Sequence, residues 1–585
     1  MFKNASELPT GETVEAEVCI VGAGPAGLTV ASELEGFGCK VVMLESGGFQ
    51  RRRKLRQLNE GETAGDGYHD PRWGRERRLG GSANRWLIEL ANGKMGARFA
   101  PLDRIDFEKR DWMPGSGWPI NRADLDPFYR RAGAYCGVDL DKYDRLAWPE
   151  TAGDAIETGL LETGIYQFGR QERWTKGLTE LVGKSSSIDA ILGASVVEIE
   201  MNETGELVIG VKAVDDAGRS IAVRAKQFVL AVGCIETSRL LLNSRSVHTN
   251  GLGNGNDVVG RYFMDHPQSY LNVFRPSNPN VFNTFGAYDI HLKGETAVMA
   301  KLVLSQETLA REHVPNSCHL LFPRRDHFLS PAFQSFFSLA LDFKRRARPK
   351  NVGQHFINIA KGIRDLIPIA GWFVQGTAHY PHLSKGGWSN LSQKNDLFES
   401  FEIWSLYEQT PDPANRITLI DRRDYIGTPL VKIDWRFTER DRQGVRRVRE
   451  LIAQDIESTG LGKVAWSPDL YSIPSSVHPT GGARMGTDRR TSVVSPDLNV
   501  HGVPNLFIAG SATLPTGGYV NPTLTVLALA CRIADRVKRD LSSAVVIEQC
   551  TDDRTFEPTG LPITPPTTPP SQVPALSGTR RDILP

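Results

Sequence analysis

Glu15–Gly48 reads EAEVCIVGAGPAGLTVASELEGFGCKVVMLESGG, and its three spaced glycines decide the fold. Val18–Val21 is an uninterrupted apolar run, the pattern of a strand buried on both faces of a parallel sheet. Gly22, Gly24 and Gly27 follow as GxGxxG, then an amphipathic helix, then a second strand over Lys40–Leu44 that ends at Glu45. Each part has a physical task. Gly22 allows the tight turn, Gly24 lets backbone approach a pyrophosphate, and Gly27 lets helix and strand pack closely. The positive end of the helix holds the pyrophosphate. Glu45, 23 residues after the first glycine, can accept hydrogen bonds from both ribose hydroxyls. Glycines that merely made turns would leave Glu45 unexplained, so a dinucleotide site is expected.

Two later stretches repeat the strand–turn–helix pattern. From Ser195, period-two segments separated by TGE and DAGR read as a small antiparallel meander. They lead into AKQFVLAVGCIETSRLLLNS, a buried strand turning at Gly233 into a helix. NLFIAGSATLPTGGYVNPTLTVLALACRIADRV does the same near the C-terminus, turning at Gly510. Residues between about 266 and 470 differ in composition, with aromatic-rich segments and alternating runs such as NRITLI and LVKIDW. The expected division is a nucleotide-binding domain from 1–100, 190–265 and 470–545, with 101–189 and 266–469 forming the substrate side. Residues 557–585, PTGLPITPPTTPP and onward, are a proline-rich tail.

At 585 residues the chain exceeds what one hydrophobic core supports, so at least two domains are expected. Apolar content of 40% and charged content of 23% describe an ordinary globular protein. A net charge of +1 gives no electrostatic case for nucleic acid. The seven cysteines are scattered and free of CxxC spacing, which argues against a disulfide framework or a zinc site and fits a reducing compartment. The first eighteen residues have no apolar core and no basic leader, and no apolar run approaches the length of a membrane span. A cytoplasmic location is the default.

GxGxxG alone does not separate FAD from NAD. RRLGGSANRWLIEL, Arg77–Leu90, adds a flexible Gly80-Gly81-Ser82 loop whose amides suit the edge of a ring system, with Asn84 offering a side-chain amide; it also reads as an ordinary loop. Further on, VHPTGGARMG sets His478 before a proline and a glycine-rich turn, and Asn521 stands 43 residues later in GGYVNPTLTV. Asn521 reads as an N-cap, Pro522 as the first helical residue, and the helix as running from Thr523 towards Asp535. The positive end of that helix, at Pro522 and Thr523, suits a reduced flavin, which is anionic at its pyrimidine edge. Asn521 capping its own helix, and His478 packing in a turn, are the plainer alternatives. Together, however, the pair offers what alcohol oxidation needs: a titratable imidazole to take the hydroxyl proton and an amide to orient the hydroxyl.

With these motifs the chain resembles the glucose–methanol–choline family of FAD oxidoreductases over most of residues 15–540. The resemblance rests on VGAGPAG with Glu45, RRLGGSANRW, FVLAVGCIETSRLLL, GRYFMDHP (Gly260–Pro267), VHPTGGARMG and NPTLTVLALACRIAD. It implies an α/β fold, a discontinuous Rossmann-like FAD-binding domain with an α+β substrate-binding domain carrying an antiparallel sheet. It also implies a catalytic pair at His478 and Asn521, facing the isoalloxazine ring. Within the family, the stretch PLDRIDFEKRDWMPGSGWPINRADLDPFYRRA and the His/Asn rather than His/His pair look most like pyranose oxidases and bacterial glycoside oxidases. Some of them attach FAD through a histidine before the tryptophan of the GG…W segment. Arg85 stands there, before Trp86, so non-covalent FAD is expected. TGGA at Thr480–Ala483 departs from the family's frequent GT pairing, with no change of reaction inferred.

The leading expectation is oxidation of a secondary hydroxyl of a sugar or glycoside to a ketone, with reoxidation by oxygen, a quinone or another acceptor. Oxidation of a sterol, cyclitol or polyketide alcohol, and a non-redox lyase on the same fold, are the alternatives. No metal site is expected. A peripheral membrane association is the other class: Phe356, Ile359, Ile363 and Leu366 share one helical face, away from Lys361 and Arg364. A helix covering the substrate domain explains the same pattern and is the favoured reading of it.

Overall fold

The computed structural model describes residues 1–543 apart from 86, 91, 150–154, 171, 326–329, 346–348, 350, 368–385 and 472–474. The proline-rich tail and the GWFVQGTAHYPH segment therefore lie outside the described residues.

Val18–Val21 is a fully buried central strand, as its unbroken apolar run requires. It pairs in parallel with Val41–Glu45 on one side and Gln227–Leu230 on the other. The sheet extends through Ile188–Leu192 to Phe2–Asn4, and in the other direction through Val503–Ile508 to Asn499–Val500. All pairings are parallel except the last. Pro25–Leu34 covers the sheet and packs against the buried helix Thr523–Ser542, which is longer than its sequence pattern suggested. Ser195–Met201, Val208–Val214 and Ser220–Arg224 form the expected antiparallel meander, joined at its edge by Thr13–Glu15 in parallel.

A nine-stranded antiparallel sheet forms the second layer. Its order is Gly462–Ala465, Gln268–Pro276, Ser400–Tyr407, Ser317–Arg324, Thr296–Leu304, Leu161–Arg170, Met95–Phe99 and Ile88–Glu89, with His291–Lys293 paired to Thr296–Leu304. Met95–Phe99 thus lies in this sheet, although the sequence grouped it with the nucleotide-binding half. Arg416–Arg423 and Pro429–Trp435 form a hairpin, and Gly61–Gly65 adds to it in parallel. Tyr407 is fully buried and Trp404 packs between Tyr270 and Phe322, so both serve the core of the substrate side.

The helices Pro331–Arg345 and Val352–Lys361 pack on one another. The second contains no buried residue. A helix covering the substrate domain would bury its apolar face, so the favoured reading of this segment is corrected.

Candidate active site

The glycine turn is built as its spacing demands. Gly22 has φ +101°, and a Cβ there would lie 2.6 Å from the Ala231 carbonyl oxygen. A Cβ on Gly27 would lie 2.0 Å from the Gly22 oxygen, so helix and strand meet without side chains between them. Gly24 differs: its Cβ position meets nothing nearer than 4.0 Å, leaving an open face at the start of the Pro25–Leu34 helix. Gly80–Ser82 comes to this same place. The Gly80 N–H donates to the Ala23 carbonyl at 2.9 Å, and a Cβ on Gly81 would sit 3.1 Å from Gly24 Cα. Gly233 and Gly510 follow the adjacent strands Gln227–Leu230 and Val503–Ile508 at their carboxyl ends, and neither Cβ position meets any atom within 4 Å. That open, backbone-lined edge at the carboxyl ends of parallel strands fits a dinucleotide pressed against main chain.

Glu45 is buried, and its carboxylate accepts the Ala23 N–H at 3.0 Å and the Gly47 N–H at 2.8 Å. Burial pushes its pKa up, against those two donors and the charge of Arg77. Each oxygen keeps lone-pair capacity for a ribose hydroxyl. Asn84 is used differently from expectation: its amide donates to the Leu79 and Gly81 carbonyls, both at 2.9 Å, leaving only its oxygen for a ligand. Ser82 Oγ accepts the Glu76 N–H.

Asn521 does not cap its helix. Pro522 occupies the N-cap position without a side-chain hydrogen bond, and Thr523 opens the helix. The Asn521 amide instead donates to the Arg98 carbonyl at 3.1 Å, across to the Met95–Phe99 strand. Local sequence favoured a cap; the neighbouring strand offers the amide a tertiary acceptor instead.

His478 brings in a residue that sequence reasoning passed over. Its Nδ1 lies 3.2 Å from Nδ1 of His266, with the rings edge-to-face at 5.3 Å between centroids. Asp265 holds both. One oxygen accepts the backbone N–H groups of His266 (2.7 Å), Ser476 (3.0 Å) and His478 (3.1 Å). The other accepts the hydroxyls of Tyr68 (2.8 Å) and Ser475 (2.6 Å). Val477 has φ +61°, an unusual state for a β-branched residue, and its N–H is held by Ser475 Oγ. Backbone strain sits directly beside the imidazole, where fold contacts sustain it.

Burial drives the titration of this cluster. It pushes Asp265 up to about 6, against its five donors, and His266 down to about 4. His478 keeps an edge open to solvent, yet burial, then the neighbouring His266 and Arg98 charges, holds it well below the ordinary histidine range. Both rings are therefore neutral near pH 7, and the single proton between their Nδ1 atoms belongs to one of them. Among the described residues His266 Nε2 and Thr480 Oγ1 are buried without a hydrogen-bond partner, and both flank Gly517.

The loop from Gly517 to Asn521 is closely packed, and Gly517 lies against the cluster itself. A Cβ on Gly517 would lie 3.1 Å from His266 Nε2, and one on Gly518 would lie 2.5 Å from Asp106 Oδ2. Tyr519 packs against the buried Lys301, whose ammonium lies 4.6 Å from its ring and 4.2 Å from that of Tyr166. Behind it, Arg110 and Glu408 form a buried two-pronged ion pair, both bonds at 2.7 Å, and Glu408 accepts the Asn316 N–H. The repeated His-Pro dipeptide, at 266–267 and 478–479, was the one signal that could have paired the histidines.

Residues 411–530 match the family described as GMC oxidoreductase, and residues 15–53 match an FAD binding domain. The fructose dehydrogenase large subunit of Gluconobacter japonicus is 24% identical, over 91% of this chain and 99% of its own. Paromamine 6'-oxidase of Streptomyces fradiae is 24% identical, over 90% and 92%. A C-glycoside 3-oxidase of Arthrobacter globiformis is 38% identical over a shorter stretch, 22% of this chain and 25% of its own. Among solved structures, a formate oxidase of Aspergillus oryzae aligns with a TM-score of 0.51 at 16% identity, covering 91% of this chain and 99% of that one. At such identity the likeness concerns the fold. Among the described residues no cluster of side chains could hold a metal ion, and no helix is long and apolar enough to cross a membrane.

Proposed function

We propose that this chain, a GMC-type FAD-dependent oxidoreductase, oxidises a secondary hydroxyl of a sugar or glycoside to the ketone, with His478 as base and Asn521 as the orienting amide. The observation that carries the reading is the neutral His478–His266 couple, held by Asp265 and set against the loop that delivers Asn521. FAD supplies the two-electron acceptor for the hydride that leaves the carbinol carbon. Gly22, Gly24, Gly27, Glu45, Gly80–Ser82, Gly233, Gly510 and the Pro522–Thr523 helix end are the residues that hold it. Binding is non-covalent in this reading, Arg85 being engaged by Glu76.

The base role fixes the tautomer. With the His478 Nδ1–H donating to His266 Nδ1, the His478 Nε2 lone pair is free to take the hydroxyl proton. His266 then carries its own proton on Nε2, beside Gly517. A weak base is sufficient, because the hydroxyl becomes strongly acidic as its carbon loses a hydride. Asn521 keeps its oxygen and second N–H for the substrate oxygen, its first being given to Arg98. The sugar-directed names among the relatives support this substrate class. The described cysteines, all free and buried, support a reducing, cytoplasmic compartment. The parallel and antiparallel sheets support two domains, cofactor side and substrate side.

An anaerobic absorption spectrum tests the proposal. Titration with monosaccharides and glycosides is expected to bleach the flavin band, and His478→Ala is expected to keep it. Bleaching by sterols or cyclitols but by no sugar would overturn the substrate class. A bound flavin that no alcohol reduces would favour the lyase alternative.

A further inference from the structure

Among the described residues, exposed apolar side chains gather in one region of the surface. Sixteen large hydrophobic side chains are exposed in the described chain, and eight of them fall between Phe336 and Ile367. Val352, Phe356, Ile363 and Ile367 recur at helical spacing along one face, with Phe356 62% and Ile367 64% exposed. Phe336 and Phe343, one heptad apart, do the same on the preceding helix, where Phe343 is 87% exposed. The opposite faces are the ones that pack. Ala332 and Ser335 are buried, the Asn358 amide donates to Ser335 Oγ at 3.0 Å, and a Cβ on Gly362 would lie 2.6 Å from Ala332 Cβ. The two helices thus meet through small and polar residues, while Phe336, Phe343, Val352, Phe356, Ile363 and Ile367 face outward. Exposed apolar patches of this kind mark interaction sites.

Charge identifies the partner. The sequence from 344 to 350, KRRARPK, holds five cations and no acid. Across 331–367 there are seven Lys or Arg against two Asp, a net +5, whereas the whole chain carries +1, so the remainder carries −4. Lys361 and Arg364 are exposed beside the apolar face. A cationic, aromatic-bearing, amphipathic helix pair too short to span a bilayer is the chemistry of an interfacial anchor on an anionic lipid surface. We propose that residues 331–367 dock the enzyme on an anionic membrane, the exposed apolar face entering the acyl boundary and Lys361 and Arg364 meeting the headgroups, with the positive charge of the 344–350 sequence adding to the attraction. A protein partner or a second copy would explain the apolar face but not the concentration of positive charge on an otherwise acidic chain.

The test is co-sedimentation of the FAD-loaded protein with sucrose-filled phosphatidylcholine vesicles, with or without about one third phosphatidylglycerol. The wild type is expected to bind the anionic vesicles about ten-fold more than the neutral ones, with binding weakened by salt. A variant combining Phe336→Ser, Phe343→Ser, Phe356→Ser and Ile363→Ser is expected to lose about ten-fold of that binding. Its flavin spectrum and turnover with a soluble acceptor are expected to stay as in the wild type, since all four side chains are exposed. A second variant, Arg346→Gln with Arg348→Gln and Lys350→Gln, is expected to lose the preference for anionic lipid. Wild type that stays in the supernatant with both vesicles, or an apolar variant that sediments like the wild type, overturns the proposal. So does a wild-type dimer that the apolar variant converts to monomer without any vesicle binding, which assigns the face to a second copy.

Discussion

The nucleotide cradle and the histidine cluster solve similar problems in opposite ways. The cradle is local: Val18–Val21, Gly22, Gly27 and Glu45 lie within a single strand–helix–strand unit, and backbone sterics fix it. The cluster is assembled from Tyr68, Arg98, Asp265–His266, Ser475–Thr480 and Gly517–Asn521, and buried hydrogen bonds fix it. A cradle of this kind binds through main chain and tolerates no added atom. A cluster of this kind orients side chains and is sensitive to each partner. Damage to the first should cost the cofactor; damage to the second should cost turnover alone.

The largest expected effect is in the cradle. Gly27→Val would drive side-chain atoms into the Gly22 carbonyl, and the purified variant is expected to lose its flavin absorbance altogether. A Gly27→Val protein with full flavin content would show that the turn is not set by helix–strand contact. Next comes His478→Ala, expected to retain flavin while kcat for the reductive half-reaction falls about 10²–10⁴-fold in stopped-flow traces. Loss of flavin in this variant would merge the two regions and break the contrast.

Asn521→Ala is smaller and separates positioning from capping. A lost N-cap costs roughly 1 kcal/mol, whereas the Asn521 side chain caps nothing here. Thermal unfolding is therefore expected to stay close to wild type, while kcat/KM falls about ten- to a hundred-fold. A drop in Tm with unchanged kinetics would restore the capping role.

The smallest effect concerns pH. His266, depressed from 6.5 to about 4, gives stability that is present above pH 6.5 and lost as pH falls towards 4. Asp265, raised from 3.8 to about 6, gives stability present below 3.8 and lost as pH rises through 6. The two adjacent residues oppose one another over pH 4 to 6, so their joint contribution is nearly flat. Asp265→Asn removes one side of that balance. Its Tm is expected to fall more than that of the wild type on going from pH 6.5 to 4.5, by about 2 °C or more. Parallel Tm curves for variant and wild type would show that the balance does not operate.

These contrasts also explain what could be read in advance. GxGxxG with Glu45 was legible because steric demands of a turn and a helix start are written in adjacent letters. The packing of Gly80–Gly81 against Ala23 and Gly24 and the local use of the Asn84 amide are not legible in the sequence, since turn carbonyls leave no trace there. The helix after Pro522 was found, and its cap was misread for the same reason: a local rule lost to an acceptor on a distant strand.

By itself, then, the sequence determined the strand–turn–helix units, the meander and the GxGxxG turn with Glu45, and it named His478 and Asn521 as candidates. Only the tertiary structure decided which groups act together. His266 meets His478 across 212 residues, Asn521 meets the Arg98 carbonyl across 423, and the Val352–Lys361 helix turns its apolar face to solvent rather than to the core. Periodicity and turn chemistry report how a backbone folds locally. Side-chain pairing depends on which strands and loops the folded chain sets side by side, and on what burial then does to their protons.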